Sequence, residues 1–122
     1  MNLATLCYLR EGNKTLFLYQ EQMKDDLNQG FYTGIGGKVQ EKETFDQCVR
    51  REFQEETGLR LLDPILKGDV LFHNEGAENS FVLIYLASRY TGILHPSKQA
   101  QLQWVENDNI AQLRLSEGDK IF

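Results

Sequence analysis

The stretch 36–59, GGKVQEKETFDQCVRREFQEETGL, constrains this chain more than any other. Two glycines open it, Gly58 closes it, and between them lie Glu41, Glu43, Glu52, Glu55 and Glu56 with Arg50 and Arg51. Thr44 followed by Gln47 is a capping-box pattern, and Gly58 stands where a helix ends on a left-handed residue. Phe45, Cys48, Val49 and Phe53 recur at helical spacing and predict a core-facing stripe. Glu52, Glu55 and Glu56 fall at i, i+3 and i+4, so the same helix crowds three carboxylates on another face. Like charges at that spacing destabilise a helix by about 0.2–0.5 kcal/mol per pair. A divalent cation is the simplest agent that would offset the repulsion.

The chain has 122 residues, the size of one domain with a modest core, and a single domain over 1–122 is expected. A net charge of -5 argues against a basic nucleic-acid-binding surface, although a bound metal can invert the sign locally for a small phosphorylated ligand. Cys7 and Cys48 lack metal-ligand spacing and read as buried, reduced thiols. The N-terminus has no basic segment followed by a long apolar run, and no run approaches the roughly 18 residues of a membrane span. These features make the cytoplasm the expected compartment, with no membrane partner.

Around the central stretch, residues 3–10 and 15–20 read as an antiparallel hairpin turned at residues 11–14. Residues 21–30 are polar and read as a surface loop. Gly34, Gly36 and Gly37 in the run 31–39 mark tight backbone or close ligand approach. Residues 61–72 form two apolar blocks interrupted at Asp63-Pro64 and Gly68, and 73–79 is a turn. Residues 80–90, SFVLIYLASRY, read as one central strand covered on both faces. A polar connection over 91–100 leads to a short strand around Trp104 and a helix over 108–113. Tyr8, Phe17, Phe81 and Tyr85 are expected in the core, and His73 and His95 have no motif partner.

Written as a template, the central stretch is G-x5-E-x7-R-E-U-x-E-E-x-G-U, with U apolar. Gly37, Glu43, Arg51, Glu52, Phe53, Glu55, Glu56, Gly58 and Leu59 fill its fixed positions. A solvated acidic helix face requires neither Gly37 nor the Glu43 spacing. This signature is the Nudix box, and the chain resembles the Nudix hydrolases, pyrophosphohydrolases of the MutT type. The resemblance implies an α/β fold, an α/β/α sandwich with a mixed β-sheet between helices, and an enzyme acting on phosphoric anhydride bonds of a nucleotide. It implies Mg²⁺, or Mn²⁺ in its place, held mainly by Glu52, Glu55 and Glu56, with the carbonyl of Gly37 joining and Glu43 assisting. Hard carboxylate oxygens suit such an ion. Arg51 would orient the carboxylates, Glu52 would act as general base, and Lys38 would contact phosphate.

Residues outside the box choose the substrate. The run 31–40 and the segment 102–122 resemble those of the family's oxidised-purine nucleoside triphosphatases, in which an acidic Gly-Asp turn lies near the base. Asp119, and after it Glu117, would read a purine edge. Thr33 stands where some of those enzymes carry a base-reading asparagine, and Gln99 where many relatives carry a further glutamate near the metals. The chain also ends where relatives continue into a longer C-terminal helix and strand, as a shorter or truncated member would. The expected partner is a small nucleotide, not polymeric nucleic acid, and the oligomeric state is left open. The expected reaction is cleavage of a nucleoside triphosphate to monophosphate and pyrophosphate. The alternatives are another nucleoside diphosphate derivative, such as ADP-ribose or a dinucleoside polyphosphate, and a non-catalytic nucleotide-binding module.

Overall fold

A computed structural model describes residues 1–20, 31–95 and 101–112. Strands β1 (Asn2–Glu11) and β2 (Lys14–Gln20) form the expected hairpin, yet they pair only next to the turn, at Leu9↔Leu16, Arg10↔Thr15 and Glu11↔Lys14. Farther out the two strands part. Strands β3 (Phe31–Thr33) and β4 (Ile35–Lys38) fill the gap, β3 on β2 through Leu18↔Thr33 and β4 on β1 through Cys7↔Ile35 and Thr5↔Gly37. The glycine-rich run is therefore wedged into a splayed hairpin. Gly36 makes this possible, because a Cβ there would lie 1.9 Å from the Thr5 carbonyl oxygen.

The helix α1 (Phe45–Thr57) has the predicted ends. The Thr44 hydroxyl accepts from the Gln47 N–H at 3.1 Å, and Gln47 Oε1 accepts from the Thr44 N–H at 2.9 Å. Gly58 closes the helix at φ 81°, where any Cβ would be strained. Cys48, Val49 and Phe53 are fully buried, and Phe45 packs edge-on against Phe81 at 6.4 Å between ring centroids.

Beyond the helix, β5 (Arg60–Leu61) leads into β6 (Ile65–Phe72), with a register shift between Leu66 and Gly68 where the sequence marked a break. Strand β7 (Ser80–Ala87) lies between β6, antiparallel, and β1, parallel. The expectation of one strand over 80–90 is corrected here. The Asp63 carboxylate accepts from the Ser88 and Arg89 N–H groups at 3.1 and 2.9 Å and draws the backbone out of the ladder. The chain resumes as β8 (Tyr90–Thr91), paired with β5 in a separate small sheet. Strand β9 (Gln101–Glu106) covers the outer side of β2. The helix expected over 108–113 is instead a 3₁₀ helix, Asn107–Gln112, among the described residues. Its start is tethered to the hairpin, with the Asn107 N–H donating to the Asn13 carbonyl and the Thr15 hydroxyl donating to Asn107 Oδ1, each at 2.7 Å.

The strand alternation divides the core between the two faces of the mixed sheet. On the helix side Cys7, Leu9, Leu16, Ile35, Tyr85 and Ala87 pack with Val49 and Phe53 of α1. On the other side Tyr8, Phe17, Val82 and Ile84 pack together, with Ile110 of the 3₁₀ helix against them. This is the mixed α/β architecture expected, with α1 fixed on one face. Removing a fully buried aromatic such as Phe53 by truncation to Ala would cost about 3–5 kcal/mol. Among the described residues no helix is long and apolar enough to cross a membrane.

Candidate active site

The wedged strand and the capped helix bring the two halves of the box together. Gly37 sits at the end of β4 directly beside Glu52 of α1, so close that a Cβ on residue 37 would lie 2.4 Å from a Glu52 carboxylate oxygen. A side chain at residue 37 would push the Glu52 carboxylate, the flexible end of its side chain, away from the strand. Between strand and helix, the loop at Gln40–Glu43 is closed by two hydrogen bonds. The Glu43 N–H donates to the Gln40 carbonyl at 3.1 Å, and the Gln40 N–H donates to Glu43 Oε1 at 2.9 Å. Lys42 inside this turn has φ 66°, the left-handed region.

Arg51 joins the parts. Its Nε and Nη2 donate to the two oxygens of Glu43 at 2.6 and 3.0 Å, a bidentate pair. Its Nη1 donates to Glu52 at 3.1 Å and to Glu55 at 3.2 Å, and Nη2 also donates to the Lys38 carbonyl at 3.1 Å. One guanidinium thus links strand end, loop and helix. The Arg51 hydrogen bonds and the Gln40 N–H hold the Glu43 carboxyl down to about 2. Glu43 reciprocally holds Arg51 in its charged form. Glu52 behaves oppositely: burial raises its proton affinity above the ordinary carboxylate range, against the pull of Arg51 and with a smaller push from Glu55 and Glu56.

The predicted residues Gly37, Lys38, Glu43, Arg51, Glu52, Glu55 and Glu56 therefore lie on adjoining parts of β4, its loop and α1. Glu52 and Glu56 are partly buried and Glu55 is exposed. Among the described residues no three His, Cys, Asp or Glu side chains converge as a bound ion would require; Glu52 and Glu55 both accept from Arg51. The donor set nevertheless suits a hard divalent cation in kind: carboxylate oxygens, with Glu52 lying where a Cβ on residue 37 would crowd it. Thr33 lies apart, on β3 opposite Leu18. Gln99, Glu117 and Asp119 lie outside the described residues.

Sequence reasoning assigned Cys48 to the core alone. It is fully buried, but its Sγ lies 3.3 Å from the Thr5 hydroxyl, 3.6 Å from the Gly37 carbonyl and 4.0 Å from Arg51 Nη2. The available signal was position: Cys48 precedes Arg51 by three residues and Glu52 by four, the spacing of helical neighbours.

A sequence profile of the NUDIX domain matches residues 2–122. The chain is 29% identical over 121 residues to the uncharacterized Nudix hydrolase YvcI of Bacillus subtilis, covering 95% of this chain and 73% of that protein. It is 38% identical over 89 residues to the oxidized purine nucleoside triphosphate hydrolase of Danio rerio, covering 71% of this chain and 56% of the fish enzyme. The crystal structure of the MutT protein from Bacillus halodurans superposes with a TM-score of 0.82 at 26% identity, over 99% of this chain and 78% of that one. With the box residues gathered on β4, its loop and α1, and the match running the length of the chain, this protein belongs to the Nudix hydrolase family.

Proposed function

We propose that this protein is a Mg²⁺- or Mn²⁺-dependent pyrophosphohydrolase that converts a nucleoside triphosphate and water to the monophosphate and pyrophosphate, with oxidised purine deoxynucleotides as the substrate class. The observation that carries the reaction is Arg51 tying Glu43, Glu52 and Glu55 beside Gly37. The substrate class is supported by the similarity to the Danio rerio enzyme, of which this chain spans just over half the length.

Glu52, Glu55, Glu56 and the Gly37 carbonyl would hold the cation, with Glu43 assisting. When bound, the ion supplies positive charge at phosphate oxygens and acidifies water. Glu52 takes the proton from the attacking water, since the amide at Gln99 cannot serve as a base. Arg51 keeps Glu52 and Glu55 oriented while anchored on Glu43, and its bidentate grip fixes the loop to the helix. Lys38, exposed at the end of β4, contacts phosphate, and Thr33 and Asp119 read the base.

The test is hydrolysis of a nucleotide panel with product identification. Oxidised purine deoxynucleoside triphosphates should be turned over to monophosphate and pyrophosphate. AMP and ribose 5-phosphate from ADP-ribose as the preferred reaction would overturn the substrate assignment. Glu52→Gln should lower kcat about a hundredfold or more with the circular dichroism spectrum unchanged. A wild-type rate in that variant would remove Glu52 from the mechanism.

A further inference from the structure

Two of the three glutamates assigned to the cation stand where a helix is weakest. Glu55 and Glu56 lie in the last turn of α1, which ends at Thr57. The carbonyls of a last turn lack partners within the helix, so helix ends fray. This end is also the negative pole of the helix dipole, which opposes carboxylates, and no basic residue stands in the turn to offset it. Repulsion among Glu52, Glu55 and Glu56 works in the same direction.

A distant segment holds this turn in place. After β8, the His95 N–H donates to the Thr57 carbonyl at 2.6 Å. Gly58 and Gly92, left-handed at φ 81° and 103°, lie back to back. A Cβ on Gly92 would lie 3.0 Å from the Gly58 carbonyl oxygen. One on Gly58 would lie 2.9 Å from the Ile93 carbonyl oxygen and 3.0 Å from the His95 Cβ. Ile93 is 74% exposed and Leu94 37%, so backbone contact rather than apolar burial seats the segment. Strand β8 delivers it, with Thr91 pairing to Arg60 just beyond Gly58. From within, the buried Thr57 hydroxyl donates to the Phe53 carbonyl at 2.7 Å and accepts from the Leu59 N–H at 3.0 Å.

We infer that residues 92–95 form a backbone clamp on the last turn of α1 that positions Glu55 and Glu56 for the cation. A turn left to fray must be ordered when the ion binds, which weakens binding; a clamped turn is ordered beforehand. Gly92 and His95 are positioning residues, acting through the backbone of Thr57 and Gly58 rather than on the reacting atoms. The inference rests on the reading of Glu55 and Glu56 as cation ligands.

Electron paramagnetic resonance of free Mn²⁺, with the full chain and no nucleotide, reads the affinity. His95→Ala keeps the N–H and should bind as wild type does. Lactic acid at position 95 differs from that variant only by an ester oxygen in place of the N–H. It should raise the Kd about three- to tenfold, the size expected for one hydrogen bond. Val82→Ala, in the core on the opposite face of the sheet, is the control: it lowers the melting temperature and leaves the Kd unchanged. An unchanged Kd with the ester, a loss already present in His95→Ala, or an equal loss in the core variant would overturn the clamp. Should the ester variant not fold, hydrogen exchange in the wild type decides, because coupling between two sites is reciprocal. Saturating Mg²⁺ should slow exchange of the His95 N–H by the same factor and then plateau, as local opening of the clamp requires. A rate indifferent to Mg²⁺, or one that keeps falling with it as global unfolding dictates, would also overturn the clamp. A wild-type chain that binds no Mn²⁺ would instead refute the glutamates as ligands, and the functional proposal with them.

Discussion

Glu43 owes its place to a turn that contains an unfavourable residue. Lys42 sits at φ 66°, a conformation that costs a residue with a Cβ about 1–2 kcal/mol, and Gln40 and Glu43 close the turn around it. The turn delivers both Glu43 oxygens to Arg51. The consequence is measurable in acid. The Glu43 carboxyl falls from an ordinary value of 4.5 to about 2 in the folded protein, so between those values the unfolded chain binds the proton and the folded one does not. The stability it contributes is fully present above about pH 4.5 and is lost as pH falls towards 2. Glu43→Gln should flatten the fall of the melting temperature between pH 4.5 and the acid limit, read by calorimetry across buffers. An unchanged slope would show that the pair contributes nothing to acid sensitivity. The template identified Glu43 and Arg51 as partners of one site from their spacing. Their bidentate contact was not legible, because it depends on a left-handed lysine that no local propensity favours.

The helix α1 is the element the sequence described best. Thr44, Gln47 and Gly58 are local signals, and local hydrogen bonds satisfy them in the folded chain. Gly58 does more than end the helix. At φ 81° it packs so tightly that a Cβ would lie 2.9 Å from the Ile93 carbonyl oxygen. Gly58→Ala should therefore destabilise by about 2 kcal/mol, combining left-handed strain with a backbone overlap, measured by denaturant unfolding. A loss within a few tenths would mean the chain after β8 yields freely. Elements shaped by distant partners were harder to read. The run 80–90 looks like one strand from its apolar content, and only Asp63, far back in the chain, turns it at Ser88 and Arg89. The segment after Trp104 reads as helical, but its tethers to Asn13 and Thr15 hold a 3₁₀ turn there.

For the molecule as a whole, the acidic site on a chain of net charge -5 should make the folded state respond to its cation. An ion that binds only the folded form stabilises it by mass action, about 2.7 kcal/mol at a hundred times its Kd. Mg²⁺ or Mn²⁺ should raise the melting temperature over a chelator-treated sample, and Glu52→Gln with Glu56→Gln should abolish the rise. Equal melting temperatures with and without the ion in the wild type would argue against a cation site in the folded chain. The strands of the hairpin and the glycine run were each visible in the sequence. Their arrangement, with β3 and β4 wedged between β1 and β2, was not, since pairing across long separations leaves no local mark.

That wedge also bears on how the chain finds its fold. The hairpin can zip beside its turn early, from neighbours such as Leu9 and Leu16, because closing so short a loop sacrifices little entropy. Seating β4 on β1 and β7 on the other flank demands much longer loops, joining Thr5 to Gly37 and to Leu83. Topologies dominated by such contacts fold slowly for their size. The strand that carries Gly37 is therefore expected to lock in after the hairpin, so that substitutions at Leu9 or Leu16 slow folding while substitutions in β4 chiefly speed unfolding, as stopped-flow kinetics would show.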